Sequence, residues 1–327
     1  MIGLILRRLA QIPVVLLVIY TVTFALSWAL PGSAVLNDEG RAPPAAVIDA
    51  IEKQYSLDDP VKCYTQYLVR VTGIHWLSNR ISGPSTTPTD VREYIFDFGP
   101  SFRFEDWSVN EIIVSSLPVS VALGLSAIAI ALGIGLSAGV IGAVRPNSWI
   151  DFATLAVALV GISLPSFVTG TLLLILGPVW AGVGTVGAWG TLGNMLLPAF
   201  TLSLPFAAYI ARLTRMGMIE ALSADYIRTA RAKGVGPTTV VLKHALKNAF
   251  LPVLSYLGPA AAYAMTGSFV IETVFNIPGI GQHFVDAVRS KDLFLIMGVT
   301  LVFASILVFF NLAVDLLYRF VDPRIEQ

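Results

Sequence analysis

The sequence predicts an all-α polytopic membrane protein with six transmembrane helices. Of its 327 residues, 55% are hydrophobic and 13% are charged, and the mean hydropathy is +0.75. So few charges cannot cover the surface of a water-soluble globule of this size. The uncharged residues also gather into runs that reach the roughly 20 residues an apolar helix needs to cross a bilayer. These two observations predict a chain that crosses the membrane several times.

The first span is predicted in residues 1–30, which open on the arginine pair Arg7 and Arg8. A cleaved signal peptide that ends near Pro31 is the alternative. The uncharged run at 9–30, however, exceeds the roughly 7–15 residues of a signal-peptide core. We therefore expect a retained helix whose arginines anchor it at the inner membrane surface.

Residues 31–116 differ in composition and are predicted to form an external soluble segment. They contain twelve acidic and seven basic residues, together with a stretch at 82–89 that is rich in serine and threonine. Helix-like patterns occur at 45–55 and 64–71. A segment this short and interrupted gives no reason to expect an independent enzyme domain.

The second span is predicted at 117–144, and the run ends at Arg145. Gly135 and Gly139 within it form a small-xxx-small pair, a spacing that lets two helices pack closely in lipid. We expect this pair to serve packing inside the chain rather than dimerisation.

The third and fourth spans lie in an uncharged run of 59 residues, 152–210. As one helix this run would be about 90 Å long, about three times the apolar thickness of a bilayer. We expect it to fold back within 177–198, giving spans at 152–176 and 197–216. The turn contains a formal G-x-G-x-x-G at 182–187, but no strand precedes it and no suitably spaced acid follows, so an interfacial turn is predicted instead of a nucleotide site.

The fifth span is predicted at 250–271 and the sixth at 293–317. A connecting segment with a turn at 277–281 separates them. Asp315 and Arg319 are four residues apart at the end of the sixth span, where an ion pair at the interface is less costly than a charge at the bilayer centre.

A basic loop at 217–250 separates the fourth and fifth spans and is predicted to form a helix–turn–helix on the membrane surface. Ser223 is expected to cap the first helix and Gly234 to end it, because glycine accepts the positive φ of a helix stop. Gly236 and Pro237 are expected to open the second helix, since proline suits a first turn.

Two sides of the first predicted helix differ in character. Arg228 and Arg231 fall three residues apart on one side, whereas Ala230 and Gly234 leave a strip with little side chain on which another protein could sit closely. The alternative is a solvated loop that only holds charge inside the cell.

The distribution of charge predicts which side of the membrane each loop occupies. The N-terminal side holds twelve lysines and arginines, most of them in short loops, whereas the long opposite segment holds seven and is acidic overall. The positive-inside rule therefore places both termini and the basic loop in the cytoplasm. The formal net charge of zero gives no indication of nucleic-acid binding.

The chain lacks the residues of an energy source or of an active site. None of its six lysines lies in a Gly-Lys-Ser/Thr sequence, so no P-loop for ATP is present. The interiors of its first five predicted spans contain no aspartate, glutamate, lysine, arginine or histidine except Arg212 and Arg215 at the inner end of the fourth, which disfavours an ion-coupled carrier, a protease or a transferase. The single Cys63 and three scattered histidines disfavour a disulfide framework or a metal site. A passive pathway driven by a partner remains.

Several stretches together resemble one family. Residues 226–234 and 243–252 are similar to the cytoplasmic EAA loop of ABC-importer permeases, in their dipeptide, oligopeptide and nickel branch. The stretches that agree elsewhere are Leu6–Leu9 with Leu30–Gly32, Asp97–Ser101 and Phe275–Gly281. The sequence departs from the family at Thr229, which stands where the name-giving glutamate is expected, and at 73–93, which is longer than usual.

The resemblance implies a type I ABC importer permease fold for residues 117–318, followed by a short cytoplasmic tail at 319–327. It implies a location in the inner membrane of a bacterial cell. It also implies a heteromeric complex in membrane lipid with a second homologous permease, two ATP-binding subunits that hold ATP and Mg²⁺, and an external substrate-binding protein. It also implies that the first helix of the basic loop couples to an ATPase, through Tyr226, Arg228, Ala230, Arg231, Lys233 and Gly234.

The same resemblance makes peptides the expected substrate, with nickel chelates or glutathione-like solutes as alternatives. A stand-alone channel or carrier and a membrane scaffold are the other classes. A channel would explain the spans that lack charge, but it gives no role to the basic helix–turn–helix.

Overall fold

The computed structural model describes residues 2–31, 45–82, 94–104, 107–182, 184, 187–266 and 268–321. Within these residues the chain is helical, with no β-strand and one isolated bridge between Pro100 and Ser108. The helices are α1 (Ile2–Ala29), α2 (Ala45–Gln54), α3 (Pro60–Val71), α4 (Ile74–Ser82), α5 (Val109–Val144), α6 (Trp149–Ser163), α7 (Ser166–Leu174), α8 (Leu192–Ser223), α9 (Asp225–Ala232), α10 (Pro237–Thr239), α11 (Leu246–Ala249), α12 (Leu251–Thr266), α13 (Phe269–Phe275), α14 (Ile280–Ser290) and α15 (Leu293–Val321). Two π-helical stretches, Ile175–Ala181 and Val240–Ala245, extend α7 and join α10 to α11. The all-α prediction is confirmed.

Four single helices, α1, α5, α8 and α15, are long and apolar enough to cross a membrane. Two bent pairs raise the number to six if each pair is one span: α6 with the extended α7, and α10 to α11 with α12. Counted in this way the six predicted spans are found, and the third is a bent pair rather than one continuous helix. It bends by 103° where α6 stops and Pro165 precedes α7, because proline disfavours helical geometry in the residue before it and has no N–H to donate.

Other predicted boundaries shift by several residues. The second span begins at Val109 rather than 117, and the fourth runs from Leu192 to Ser223 rather than over 197–216. The fifth ends earlier than predicted, because α12 stops at Thr266 and a new helix begins at Phe269. The side chains of Arg7, Arg8, Arg319 and Arg324 lie outside the described residues, and so does most of 82–89.

The chain forms two compact units. The first contains residues 1–117 and 282–305, and aromatic side chains join its helices. The Tyr20 hydroxyl donates to the carbonyl of Tyr64 at 2.5 Å, and the Tyr67 ring stacks on Phe294 with 4.9 Å between centroids. Cys63 is buried beside them, and burial raises the pKa of its thiol to about 11. At neutral pH this thiol is therefore protonated and unreactive.

A buried carboxylate begins the last helix of the same unit. Asp292 Oδ2 accepts hydrogen bonds from Ser101 Oγ at 2.6 Å and from the N–H of Phe102 at 2.9 Å. Its other oxygen accepts from the N–H of Leu295 at 3.1 Å in the first turn of α15. The side chain therefore caps α15 and ties the loop before α5 to it.

The second unit contains residues 118–281 and 306–327, with a core formed by α5, α8, α12 and α13. A Cβ added to Gly135 would lie 2.7 Å from the carbonyl oxygen of Ala207, and one added to Gly139 would lie 2.5 Å from Thr214 Cβ. The glycine pair therefore lets α5 and α8 pack almost backbone to backbone, which confirms the predicted packing within the chain.

The G-x-G-x-x-G stretch is a turn at its described residues. Gly182, Gly184 and Gly187 all have positive φ, from +65° to +89°. No strand precedes them in the described part of the chain, where the π-helical stretch runs up to Ala181. A turn conformation of this kind is the one that glycine adopts without steric cost.

Candidate functional site

The basic loop folds as a helix–turn–helix, as predicted. The helix α9 follows α8 after the single extended residue Ala224. It ends where Gly234, with φ of +75°, lets its N–H reach the carbonyl of Arg231 at 3.0 Å. Pro237 then opens the second helical segment at its first position. The predicted cap was wrong: Ser223 is still in α8, and its hydroxyl donates to the carbonyl of Glu220 at 2.8 Å.

One face of α9 is buried against its own chain. Ile227 is 0% exposed and Ala230 is 9% exposed. They belong to a cluster, here called the α9 anchor, whose buried members are Ala143, Met218, Ala221, Ile227, Ala230, Val240, Ala245 and Ala249. The prediction that Ala230 lies on an open docking strip was therefore wrong, because α9 is amphipathic and its apolar residues cover the ends of α5 and α8.

The other predicted residues lie on the exposed side of α9 and at its end. Tyr226, Arg228, Arg231, Lys233 and Gly234 are all exposed. The Tyr226 hydroxyl accepts a hydrogen bond from Asn248 at 2.9 Å, and Arg228 forms an exposed ion pair with Asp225 at 3.2 Å. Neither Arg231 nor Lys233 has a salt bridge among the described residues. The structure therefore presents two cations to any partner that approaches this side.

Thr229 also lies on the exposed side, at the position where the family's glutamate was expected. Its hydroxyl donates to the carbonyl of Asp225 at 3.1 Å, one turn earlier in the same helix. A threonine in this place adds no negative charge. The exposed side of α9 is therefore more cationic than it would be with glutamate.

A close backbone contact joins the two helical segments that lie before and after α9 in the sequence. A Cβ added to Gly217 in α8 would lie 2.9 Å from the carbonyl oxygen of Ala249, at the end of α11. The two helical segments that flank α9 in sequence are therefore in direct contact. The end of α8 is therefore packed closely against the segment that follows α9.

An ion pair that the sequence reasoning missed fixes α6 to α8. Arg215 donates from Nε to Asp151 Oδ1 at 2.5 Å and from Nη2 to Oδ2 at 2.7 Å, and the N–H of Asn147 donates to Oδ2 at 2.8 Å. Two parallel N–H···O bonds of this kind restrict both distance and direction. The signal was available, because an acid that begins one span and a base that ends the next lie on the same side of the bilayer.

A second buried carboxylate was also missed. Glu272 accepts hydrogen bonds from Ser120 at 2.7 Å, from Ser268, and from the N–H of Gly281 at 2.9 Å. A Cβ added to Gly279 would lie 2.4 Å from the carboxyl carbon of Glu272, so only glycine fits there. These contacts hold the turn after α13 against α5. Among the described residues, no group of three or more histidine, cysteine or carboxylate side chains is placed to hold a metal ion.

Comparison with known proteins gives matches over the whole chain. Residues 115–327 match the family described as binding-protein-dependent transport system inner membrane component, and residues 1–124 match the N-terminal region of such membrane components. The oligopeptide transport system permease protein OppB of Haemophilus influenzae is 38% identical, and that of Escherichia coli is 40% identical, each with 100% of both chains covered. The dipeptide transport system permease protein DppB of Bacillus subtilis is 41% identical and covers 98% of this chain and 96% of its own.

Solved structures agree on the fold. An inward-facing structure of the MetNI methionine ABC transporter matches with a TM-score of 0.51 and 21% identity, covering 64% of this chain and 96% of its own. An amino acid ABC transporter matches with the same TM-score and 16% identity. These likenesses support the type I permease fold. With the family match over more than half of its length, the chain belongs to the binding-protein-dependent transport system inner membrane components.

Proposed function

We propose that this protein is the permease subunit of an ATP-driven importer and carries peptides across the cytoplasmic membrane. The observation that carries the proposal is the match, over the full length, to permeases named for oligopeptide and dipeptide transport. Nickel chelates and glutathione-like solutes remain the alternatives for the same machinery. The external binding protein is expected to choose between them.

The family implies ATP-binding and substrate-binding partners. We propose that the complete complex contains a second homologous permease, two ATP-binding subunits and one external binding protein. ATP and Mg²⁺ are then held by the ATP-binding subunits, and this chain contributes half of the pathway.

We propose that α9 is the helix that docks on an ATP-binding subunit. Its exposed cations, Arg231 and Lys233, suit carboxylates on that partner. Its buried face packs on the other residues of the α9 anchor, so we expect α9 and the end of α8 to move together. Closure of the ATP-binding subunits then displaces α9, and α8 transmits the displacement to α5 through the glycine contacts.

Reconstitution tests this function directly. The chain is purified with its co-expressed partners and placed in liposomes that contain ATP inside. With the peptide-loaded binding protein outside, we expect ATP-dependent accumulation of a labelled tripeptide. Accumulation of a nickel chelate or glutathione but no peptide would replace the substrate assignment. Uphill accumulation by this chain without any ATP-binding subunit would refute the importer mechanism.

A further inference from the structure

Large apolar side chains on α4 are left exposed. Ile74, Leu77 and Ile81 have exposures of 56%, 51% and 77%. Their spacing of three and four residues places them on one face of the helix. Isolated exposed apolar residues are common on any protein, but a row of three on a short helix needs a partner.

The turn before α4 extends the same surface. Gly73 has φ of +76°, and a Cβ added to it would lie 3.1 Å from the carbonyl oxygen of Ile95 and 3.7 Å from the Phe96 ring. Ile95 and Phe96 are themselves more than half exposed. Together, Ile74, Leu77, Ile81, Ile95 and Phe96 form what is here called the α4 apolar face.

The helix before α4 lies beside the first span rather than beyond its end. The Tyr64 carbonyl accepts from the Tyr20 hydroxyl, the hydroxyls of Thr21 and Tyr64 are 2.8 Å apart, and the Phe24 ring lies 5.3 Å from that of Tyr64. The candidate span runs from Ala10 to Ala29. Tyr20 is nine residues from its end, which is about 13 Å along a helix. The helix α3 therefore contacts α1 within the candidate span, and α4 follows α3 after the short turn at Thr72 and Gly73.

The surroundings match a membrane interface. The nearby part of α1 exposes Val18, Val22 and Leu26, which are suited to contact with acyl chains. On α4, the Arg80 guanidinium lies 5.2 Å from the centre of the Trp76 ring, and the helix contains no acidic residue. Tryptophan with a basic residue beside an apolar face is typical of helices that lie among phospholipid headgroups.

We propose that α4 is an interfacial helix that inserts its apolar face into the boundary between headgroups and acyl chains. The leaflet is the one on the side of the bilayer where α2 lies. The occupant of this surface is therefore phospholipid rather than a protein subunit. The proposal does not depend on the substrate or on the docking of α9.

Fluorescence quenching by lipid tests the proposal. Leu77→Cys and Ile81→Cys are labelled with bimane in the full-length protein, together with its co-purifying subunits, because the native Cys63 is buried. The samples are reconstituted in phosphatidylcholine that is brominated near the headgroup end of its acyl chains. We expect a loss of about half of the emission, as for other side chains that insert to a shallow depth. Gln54→Cys, at an exposed polar position in the same unit, is the matched control and should keep its emission.

The remaining outcomes contradict the proposal. Quenching at 77 and 81 no greater than at 54 would place α4 in water. Quenching that appears only when the binding protein or the second permease is omitted would identify that protein, and not lipid, as the occupant.

Discussion

Arg231 and Lys233 are the residues through which α9 can recognise a partner. Both extend from the exposed side of the helix, and no salt bridge to the described residues neutralises them. An ion pair between an exposed cation and its own chain contributes only about 0–1 kcal/mol of stability. An ion pair with a partner's carboxylate stabilises more when binding removes both groups partly from water.

Arg231→Glu is expected to lower peptide-stimulated ATP hydrolysis and uptake by more than about tenfold, because it places like charges at the proposed contact. Arg231→Lys should keep a substantial part of both activities. Arg145→Glu, which reverses another exposed arginine, serves as the control and should transport normally. The docking assignment fails if Arg231→Glu transports at the normal rate in an assembled complex.

Asp151→Asn tests the ion pair between α6 and α8. Losing one partner leaves the Arg215 guanidinium with a neutral amide, and removal of one member of a buried pair costs about 3–5 kcal/mol. Because Arg215 is partly exposed, we expect the lower end of that range. The melting temperature of the purified protein should fall, and the double variant Asp151→Asn, Arg215→Gln should recover part of the loss. Equal melting temperatures for the single variant and the wild type would contradict the structural role.

At the scale of elements, close contacts between helices depend on glycine. Gly135 and Gly139 join α5 to α8, and Gly217 joins α8 to the end of α11. Van der Waals packing holds helices together in lipid, where apolar burial from water is no longer available. These contacts join α5, α8 and α11 into one closely packed unit.

Gly139→Leu is expected to destabilise this unit, because the new Cβ alone would lie 2.5 Å from Thr214 Cβ. Overpacking of this kind costs about 1–3 kcal/mol or more. Gly133→Leu, in the same helix, is the matched control, since a Cβ there meets nothing within 4 Å. Size-exclusion profiles in detergent should show less monodisperse protein for Gly139→Leu alone. Equal profiles for both variants would show that the contact is dispensable.

Some elements could be predicted from the sequence because they depend on local composition. The spans follow from uncharged runs, and the end of α9 follows from Gly234. Ala230 was misplaced although Ile227, three residues earlier, marked the apolar face. The break before Pro165 was missed because proline is also tolerated inside membrane helices. The site around Glu272 depends on Ser120, which is 152 residues away in the chain, and no local pattern indicates such a contact.

At the scale of the whole molecule, orientation follows from the distribution of charge. Lysines and arginines concentrate on the side of the N-terminus and of α9. On this basis we infer that both termini and α9 are cytoplasmic and that α3 is external. Only this orientation lets α9 reach an ATP-binding subunit.

Cysteine labelling in intact cells checks the orientation. Gln54→Cys should react with a membrane-impermeant maleimide, whereas Ser223→Cys should react only after the membrane is opened, because both positions are exposed and we infer that they lie on opposite sides. The wild-type protein is the control, since the pKa of Cys63 is raised to about 11 by burial. Its thiol should stay unlabelled in both conditions. Reaction of Ser223→Cys in intact cells would invert the topology.

The bend between α6 and α7 also restricts what can lie beside the third span. The final carbonyl groups of a helix have no intrahelical donors, and Pro165 cannot supply one. Hydrocarbon cannot hydrate these carbonyls, so such a break persists at membrane depth only beside protein or an aqueous cavity. The bend therefore requires a polar neighbour at this point of the third span, which is either a protein group that donates hydrogen bonds or a water-filled cavity.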